Sequence, residues 1–144
     1  MLLRPYTPAD HDTIIKLFLL NTPQFFHPQE QKDLEYFLKE EMETDPYFVL
    51  EENGTLLASG GHYFLDGIAG LSWFIVHPDW HGKGLGSRLV KHHLDLIKSK
   101  HTGKIIVDTS QLVYKFYEKF GFVLLSTTPN HWGPGMHLYS MELS

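Results

Sequence analysis

The segment from Trp73 to Ile97 constrains the fold of this chain more than any other. It opens with the continuous apolar run Trp73-Phe74-Ile75-Val76, the pattern of a strand covered on both faces. A loop follows, His77-Pro78-Asp79-Trp80-His81-Gly82-Lys83-Gly84-Leu85-Gly86, and a helix begins within it. Along that helix Leu85, Leu89 and Leu96 run beside Val90, Leu94 and Ile97, giving a broad apolar face. A doubly covered strand feeding an amphipathic helix needs a layered α/β architecture, because each element must bury its apolar surface against another.

The flanking sequence supplies the other layers. Leu2 to Tyr6 reads as a short strand, and Thr7-Pro8-Ala9-Asp10 as a helix start, with Thr7 as N-cap and Asp10 near the positive end of the dipole. Ile14, Ile15, Leu17 and Phe18 form the apolar face of that helix. Asn21 to Pro28 breaks it, and a second helix carries Leu34, Phe37, Leu38 and Met42 at intervals of three and four. Tyr47 to Glu52 and Thr55 to Tyr63 flank Asn53-Gly54, a two-residue hairpin signal. Leu65-Asp66-Gly67 turns into the third strand of this meander, which ends at Val76. After the glycine loop and its helix, Lys104 to Asp108 is a strand and Gln111 to Phe120 a helix closed by Gly121. Phe122 to Ser126 and Met136 to Leu143 are the last two strands, joined by a loop containing Gly133-Pro134-Gly135. No repeat or linker interrupts the pattern, so residues 1–144 read as one α/β domain.

Composition narrows the chemistry. Cysteine is absent, which excludes disulfides, thiolate metal sites and a covalent cysteine mechanism. The net charge of -5 carries no positive stripe of the kind that replaces nucleic-acid counterions, so no nucleic-acid partner is expected. No apolar run is long enough for a membrane span and the start lacks a signal-peptide pattern, so a cytoplasmic protein without a membrane partner is expected. The ten histidines show no H-E-x-x-H spacing, and His77 and His81 lie in a proline-containing loop. Solvated or hydrogen-bonded histidines are expected, with no metal.

The glycine loop has a physical product. A helix N-terminus leaves N–H groups without partners and carries about half a positive charge. Glycines allow positive φ and close approach to a phosphate, so Gly82, Gly84 and Gly86 point to a pyrophosphate cradle, with Lys83 adding a cation. A Walker loop does not fit the spacing. A dinucleotide fingerprint would need glycine where Ser87 or Leu89 stands, although Asp108 lends that reading partial support. Residues 81–86, after Val76-His77-Pro78, resemble the coenzyme A-binding motif Q/R-x-x-G-x-G/A of the GNAT N-acetyltransferases, with His81 at the Gln/Arg position. Phe116-Tyr117-Glu118-Lys119-Phe120-Gly121-Phe122 is similar to the second signature of that family, and the element order resembles it throughout the domain.

That resemblance implies a mixed sheet of about seven strands flanked by about four helices, splayed between the fourth and fifth strands. It implies acetyl transfer from acetyl-coenzyme A, as cosubstrate, to a small-molecule or peptide amine. The cradle would comprise His81, Gly82, Lys83, Gly84, Leu85, Gly86 and Ser87, and the backbone of Phe74, Ile75 and Val76 would hold the pantetheine arm. Ser110 sits where many relatives place Asn, and reads equally as a pantetheine partner or an N-cap. Tyr117 matches the general acid that protonates the departing thiolate. It also shares a helical stripe with Val113 and Phe120, as a core tyrosine would, and Tyr114 competes for the role. Many relatives carry a Glu near position 72 as base, where this chain has Ser72; His62, Asp66 and His131 are the substitutes in view. Phe25, Phe26 and His27 are candidate walls for the acceptor. Relatives are often dimers, which makes the terminal strands the expected edges of a homodimer. Two other classes stay open: a coenzyme A-binding module without catalysis, and a dinucleotide-binding oxidoreductase.

Overall fold

The computed structural model describes residues 1–41, 45–101 and 103–144; Met42, expected on the second helix, lies outside the described residues. Seven strands form a single mixed sheet: β1 (Leu2–Pro5), β2 (Tyr47–Glu52), β3 (Thr55–Leu65), β4 (Ile68–Val76), β5 (Ile105–Thr109), β6 (Val123–Gly133) and β7 (Met136–Leu143). Their spatial order is β1-β2-β3-β4-β5-β7-β6, with every pair antiparallel except β4–β5. The edges are therefore β1 and β6. The N-terminal strand is an edge as expected, but the C-terminal strand β7 lies inside the sheet and β6 takes the other edge.

Helices α1 (His11–Leu20) and α2 (Gln31–Tyr36) cover one face, and α3 (Leu85–Lys98) and α4 (Tyr114–Glu118) the other. Under α1 and α2 lies a core of Ile14, Phe18, Leu34, Phe37, Tyr47, Val49 and Ile75. Beneath α3 and α4 lie Leu71, Val90, Ile97, Val107, Tyr117 and Met141. Each fully buried large apolar side chain contributes about 1.5–3 kcal/mol, so the sheet is held from both sides.

Local departures from the expected elements have identifiable causes. Asp10 does more than meet the α1 dipole: Arg4 grips its carboxylate with two bonds of 2.8 Å, and the Thr7 N–H donates to it at 2.8 Å. The second helix is a 3-10 turn (Pro28–Glu30), then α2, then a π-turn (Phe37–Glu41). α4 is shorter than Gln111 to Phe120, because residues 111–113 form a turn on Ser110. β6 continues well past Ser126, since β7 supplies its hydrogen bonds as far as Gly133. Among the described residues no helix is long and apolar enough to cross a membrane.

Candidate active site

β4 and β5 pair only at Ala69–Ile105 and Gly70–Ile106. Beyond that point they diverge, although β4 runs on to Val76 and β5 to Thr109. The cause lies in β4. Register with β3 jumps between Ser59 and Gly61, and Trp73 adopts φ 51°, so Trp73 and Phe74 together oppose Gly60. Such a bulge bends its strand and increases its twist. Gly60 is required there, because the Phe74 ring lies where a β-carbon would be. A tryptophan at positive φ costs on the order of 1–3 kcal/mol, and its surroundings hold it. The Tyr47 hydroxyl donates to the Trp73 carbonyl at 2.8 Å, and the rings of Phe26 and Phe37 pack on its indole at 6.3 and 6.5 Å.

The bulge sets which backbone groups face the gap. His77 donates its N–H to the Leu57 carbonyl at 2.8 Å, so Ala58 and Val76 form a non-hydrogen-bonded pair. The N–H and C=O of Val76, and by alternation those of Phe74, therefore turn from β3 toward β5. The Val76 carbonyl is already engaged: it accepts from Asn21 Nδ2 at 3.0 Å and from His81 Nε2 at 2.9 Å. Its N–H faces the gap, where β5 no longer pairs with β4. Ile75 turns its side chain into the core.

At the end of β4 the glycine loop enters α3. Gly84 is the residue before the helix, at φ 85°, with open space where a β-carbon would stand; Gly82, at φ 76°, is similar. Gly86 serves packing instead, since a β-carbon there would lie 3.2 Å from the Phe116 ring of α4. Leu85 is buried, Ser87 is exposed, and the Lys83 ammonium sits 5.1 Å from the centre of the Trp80 ring. His81 bonds to Val76 and places its ring edge-on to Phe25 at 5.0 Å.

Helix α4, on the α3 side of the sheet, carries two tyrosines. Tyr117 is buried, which pushes its hydroxyl well above the usual tyrosine range, and it bonds to none of the described residues. Phe116 and Phe122 pack edge-on against its ring at 5.0 and 5.9 Å. Tyr114 instead packs on Tyr139 at 4.8 Å. Ser110 accepts the Leu112 N–H at 3.2 Å and its carbonyl takes the N–H of Tyr114 at 3.0 Å, which is the cap-like role. Asp108 accepts from Ser140 Oγ at 3.1 Å and so faces β7.

The opposite mouth is built by the α1–α2 connection and the β6–β7 hairpin. Phe26 stacks on Trp73, and the His27 ring occupies the space above Gly133. Trp132 donates from Nε1 to the Thr109 carbonyl at 3.0 Å, fixing the hairpin to the end of β5, with the His131 ring against its indole. Asn21, buried and read in the sequence only as a helix breaker, is the hub of this region. Its amide donates to the carbonyls of Leu17 (2.8 Å) and Val76 (3.0 Å), while its own carbonyl accepts the N–H groups of Phe25 and Phe26.

Of the substitute bases, Asp66 lies in the β3–β4 turn. His62 points to the α3 face, away from the α1–α2 connection, with Nδ1 2.7 Å from Nδ1 of His93. Burial lowers both imidazoles, His62 to about 4 and His93 to about 3. Ser72 shares the α1–α2 side with Trp73, because the bulge puts consecutive residues on one face; its Oγ is buried without a partner among the described residues. Among the described residues no group of three or more His, Asp or Glu is placed to hold a metal.

A single parallel pairing that opens into a gap, closed at one end by a glycine-led helix, can be compared with known proteins. Residues 14–122 match the family model described as Acetyltransferase (GNAT) family. The chain belongs to the GNAT acetyltransferase family. Glucosamine 6-phosphate N-acetyltransferase of Trypanosoma brucei brucei is 40% identical over 48 residues, 33% of each chain. The matches span a third or less of the curated relatives concerned. A GNAT-family crystal structure from Desulfovibrio desulfuricans superposes with a TM-score of 0.82 at 17% identity, covering 99% of this chain and 98% of that one. An aminoglycoside 6'-N-acetyltransferase complexed with coenzyme A gives 0.77 at 16% identity, covering 99% and 96%. The sheet order, the four helices and the opening between β4 and β5 are those of the GNAT fold.

Proposed function

We propose that this GNAT protein is an N-acetyltransferase that passes the acetyl group of acetyl-coenzyme A directly to an amine. The observation that carries this reading is the opening between β4 and β5, which the Gly84 helix mouth adjoins at the end of β4; Tyr117 of α4 is assigned to it by its motif position. The cosubstrate supplies an activated thioester; the protein supplies position, dipoles and a proton path. Val76 N–H faces the carbonyl oxygen as negative charge develops there, and such a donor contributes about 3–4 kcal/mol. The N–H groups around Gly82, Gly84 and Gly86 face the diphosphate, with Lys83, His81, Leu85 and Ser87 around them. The open space beside Gly82 and Gly84 fits that role.

Tyr117 is protonated at neutral pH, as tyrosines ordinarily are, and burial raises it further. It therefore donates to the leaving sulfur without losing its proton beforehand. As the C–N bond forms and the C–S bond breaks, the Tyr117 proton goes to sulfur and is replaced by one from the amine nitrogen. A relative named for glucosamine 6-phosphate and another complexed with coenzyme A support amine acetylation as the class of reaction.

A second reading, binding of coenzyme A without transfer, is favoured by Ser72 standing where many relatives carry Glu. Thermal titration with coenzyme A and with NAD(H), followed by acetyl transfer to a panel of amines, tests all three readings. Coenzyme A at a hundred times Kd should add about 2.7 kcal/mol of stability. Stabilisation by NAD(H) alone would overturn both coenzyme A readings, and binding without transfer would leave only the second.

A further inference from the structure

Glu30 is the buried carboxylate that this mechanism does not use. It ends the 3-10 turn Pro28–Glu30 and, with Leu34 and Phe37, occupies the inward stripe of the second helical segment. Phe37 reaches Trp73 at the bulge, and the turn packs against β6 beside Gly133, where the His27 ring lies. Glu30 thus sits where the α1–α2 connection meets the β6–β7 hairpin, on the helical stripe that leads through Phe37 toward Trp73. One oxygen accepts the His27 N–H at 2.8 Å, completing a capping box. No Lys, Arg or His side chain pairs with it among the described residues. Ordinary capping glutamates are solvated, and buried carboxylates are normally matched by a cation.

We infer that Glu30 receives the ammonium group of the acceptor and takes its first proton. The inference rests on the transferase reading and names the kind of acceptor it serves: a primary amine on an apolar or aromatic body. The charged nitrogen would meet Glu30, and the body would meet Phe25, Phe26 and Trp73. R–NH3+ gives one proton to the carboxylate and becomes R–NH2, whose lone pair attacks the thioester. The second proton follows the Tyr117 path to sulfur, and Glu30 returns its own to water when the amide leaves. Burial pushes the Glu30 carboxyl up to about 7, opposed by the His27 N–H and aided by nearby Asp33, which suits a base working at neutral pH. The titratable residues that act on it are His27, through its N–H, and Asp33, through its charge.

Glu30→Gln separates this role from the structural one, because glutamine closes a capping box as glutamate does. With phenethylamine as acceptor, E30Q should lose about a hundredfold in kcat/KM, with unchanged Tm and coenzyme A affinity. The wild-type rise in kcat/KM through pH ~7 should vanish in the variant. In wild-type protein labelled with carboxyl-13C glutamate, phenethylammonium should shift the Glu30 resonance, and neutral phenethyl alcohol should not. A Glu30 signal blind to the amine, or full activity and an unaltered pH profile in E30Q, would overturn the inference. An amine-responsive Glu30 in a protein that transfers no acetyl group would keep the ammonium site and remove the transferase reading instead.

Discussion

The two mouths of the gap between β4 and β5 are made from different materials. On the α3 side the wall is main chain: Gly82 and Gly84 at positive φ, the free N–H groups of a helix start, and the Val76 N–H. On the α1–α2 side the wall is side chain: Phe25, Phe26, His27 and Trp73, with the backbone carbonyl of Asn21 holding the N–H groups of Phe25 and Phe26. A backbone cradle demands glycine at fixed spacing and therefore leaves a signature. A side-chain wall can be assembled from many residues, and it leaves none. In the proposed function acetyl-coenzyme A would meet the first wall and the acceptor amine the second.

The contrast can be attacked by substitution. Tyr117→Phe should have the largest effect, lowering kcat ten- to a thousandfold with little change in Tm or in either substrate's affinity, because it removes a proton path and no packing. Wild-type turnover in steady-state assays would take Tyr117 out of the mechanism.

Beneath the coenzyme mouth, His62 and His93 join β3 to α3 as neutral rings. Their folded values, about 4 and about 3, lie below the ordinary unfolded value, so the stabilisation is present above pH ~6.5 and is lost as pH falls. Each should cost on the order of 2 kcal/mol between pH 7 and 5. Thermal melts should show this loss, and the double variant His62→Phe, His93→Leu should flatten it.

Two glycines give the matched test of the mouths. Gly84→Ala forces a β-carbon into a left-handed residue and should raise the KM for acetyl-coenzyme A about tenfold, leaving the acceptor KM alone. Gly133→Ala pushes the His27 ring off the hairpin and should do the reverse, again about tenfold. Variants that each damaged both constants equally would show that the walls are not separable.

The same division explains what was legible in the sequence. Asn53-Gly54 forms its hairpin with φ 52° and 81°, as a local turn rule requires. The glycine loop, the α3 stripe and the Tyr117 segment were likewise legible because their constraints are local. The bulge was not, since tryptophan at positive φ defies its own preference and is imposed by β3, Tyr47 and two distant rings. The length of β6 was hidden for a similar reason: Thr127 and Thr128 read as loop until β7 pairs with them, opposite Tyr139 and Leu138. His93 takes a core position on α3 that composition alone would assign to an apolar residue, because His62 satisfies its Nδ1. Glu30 reads as a charge on a solvated turn until the fold closes over it.

Asn21 carries one more consequence. The carboxamide of this one residue grips the last carbonyl of β4 while its backbone oxygen reins in Phe25 and Phe26, so the lining proposed for the amine is bolted to the strand proposed for the thioester. Tightness of grip and speed of turnover are then geared together. Changes in the aromatic lining should alter how fast a bound amine reacts as well as how firmly it is held.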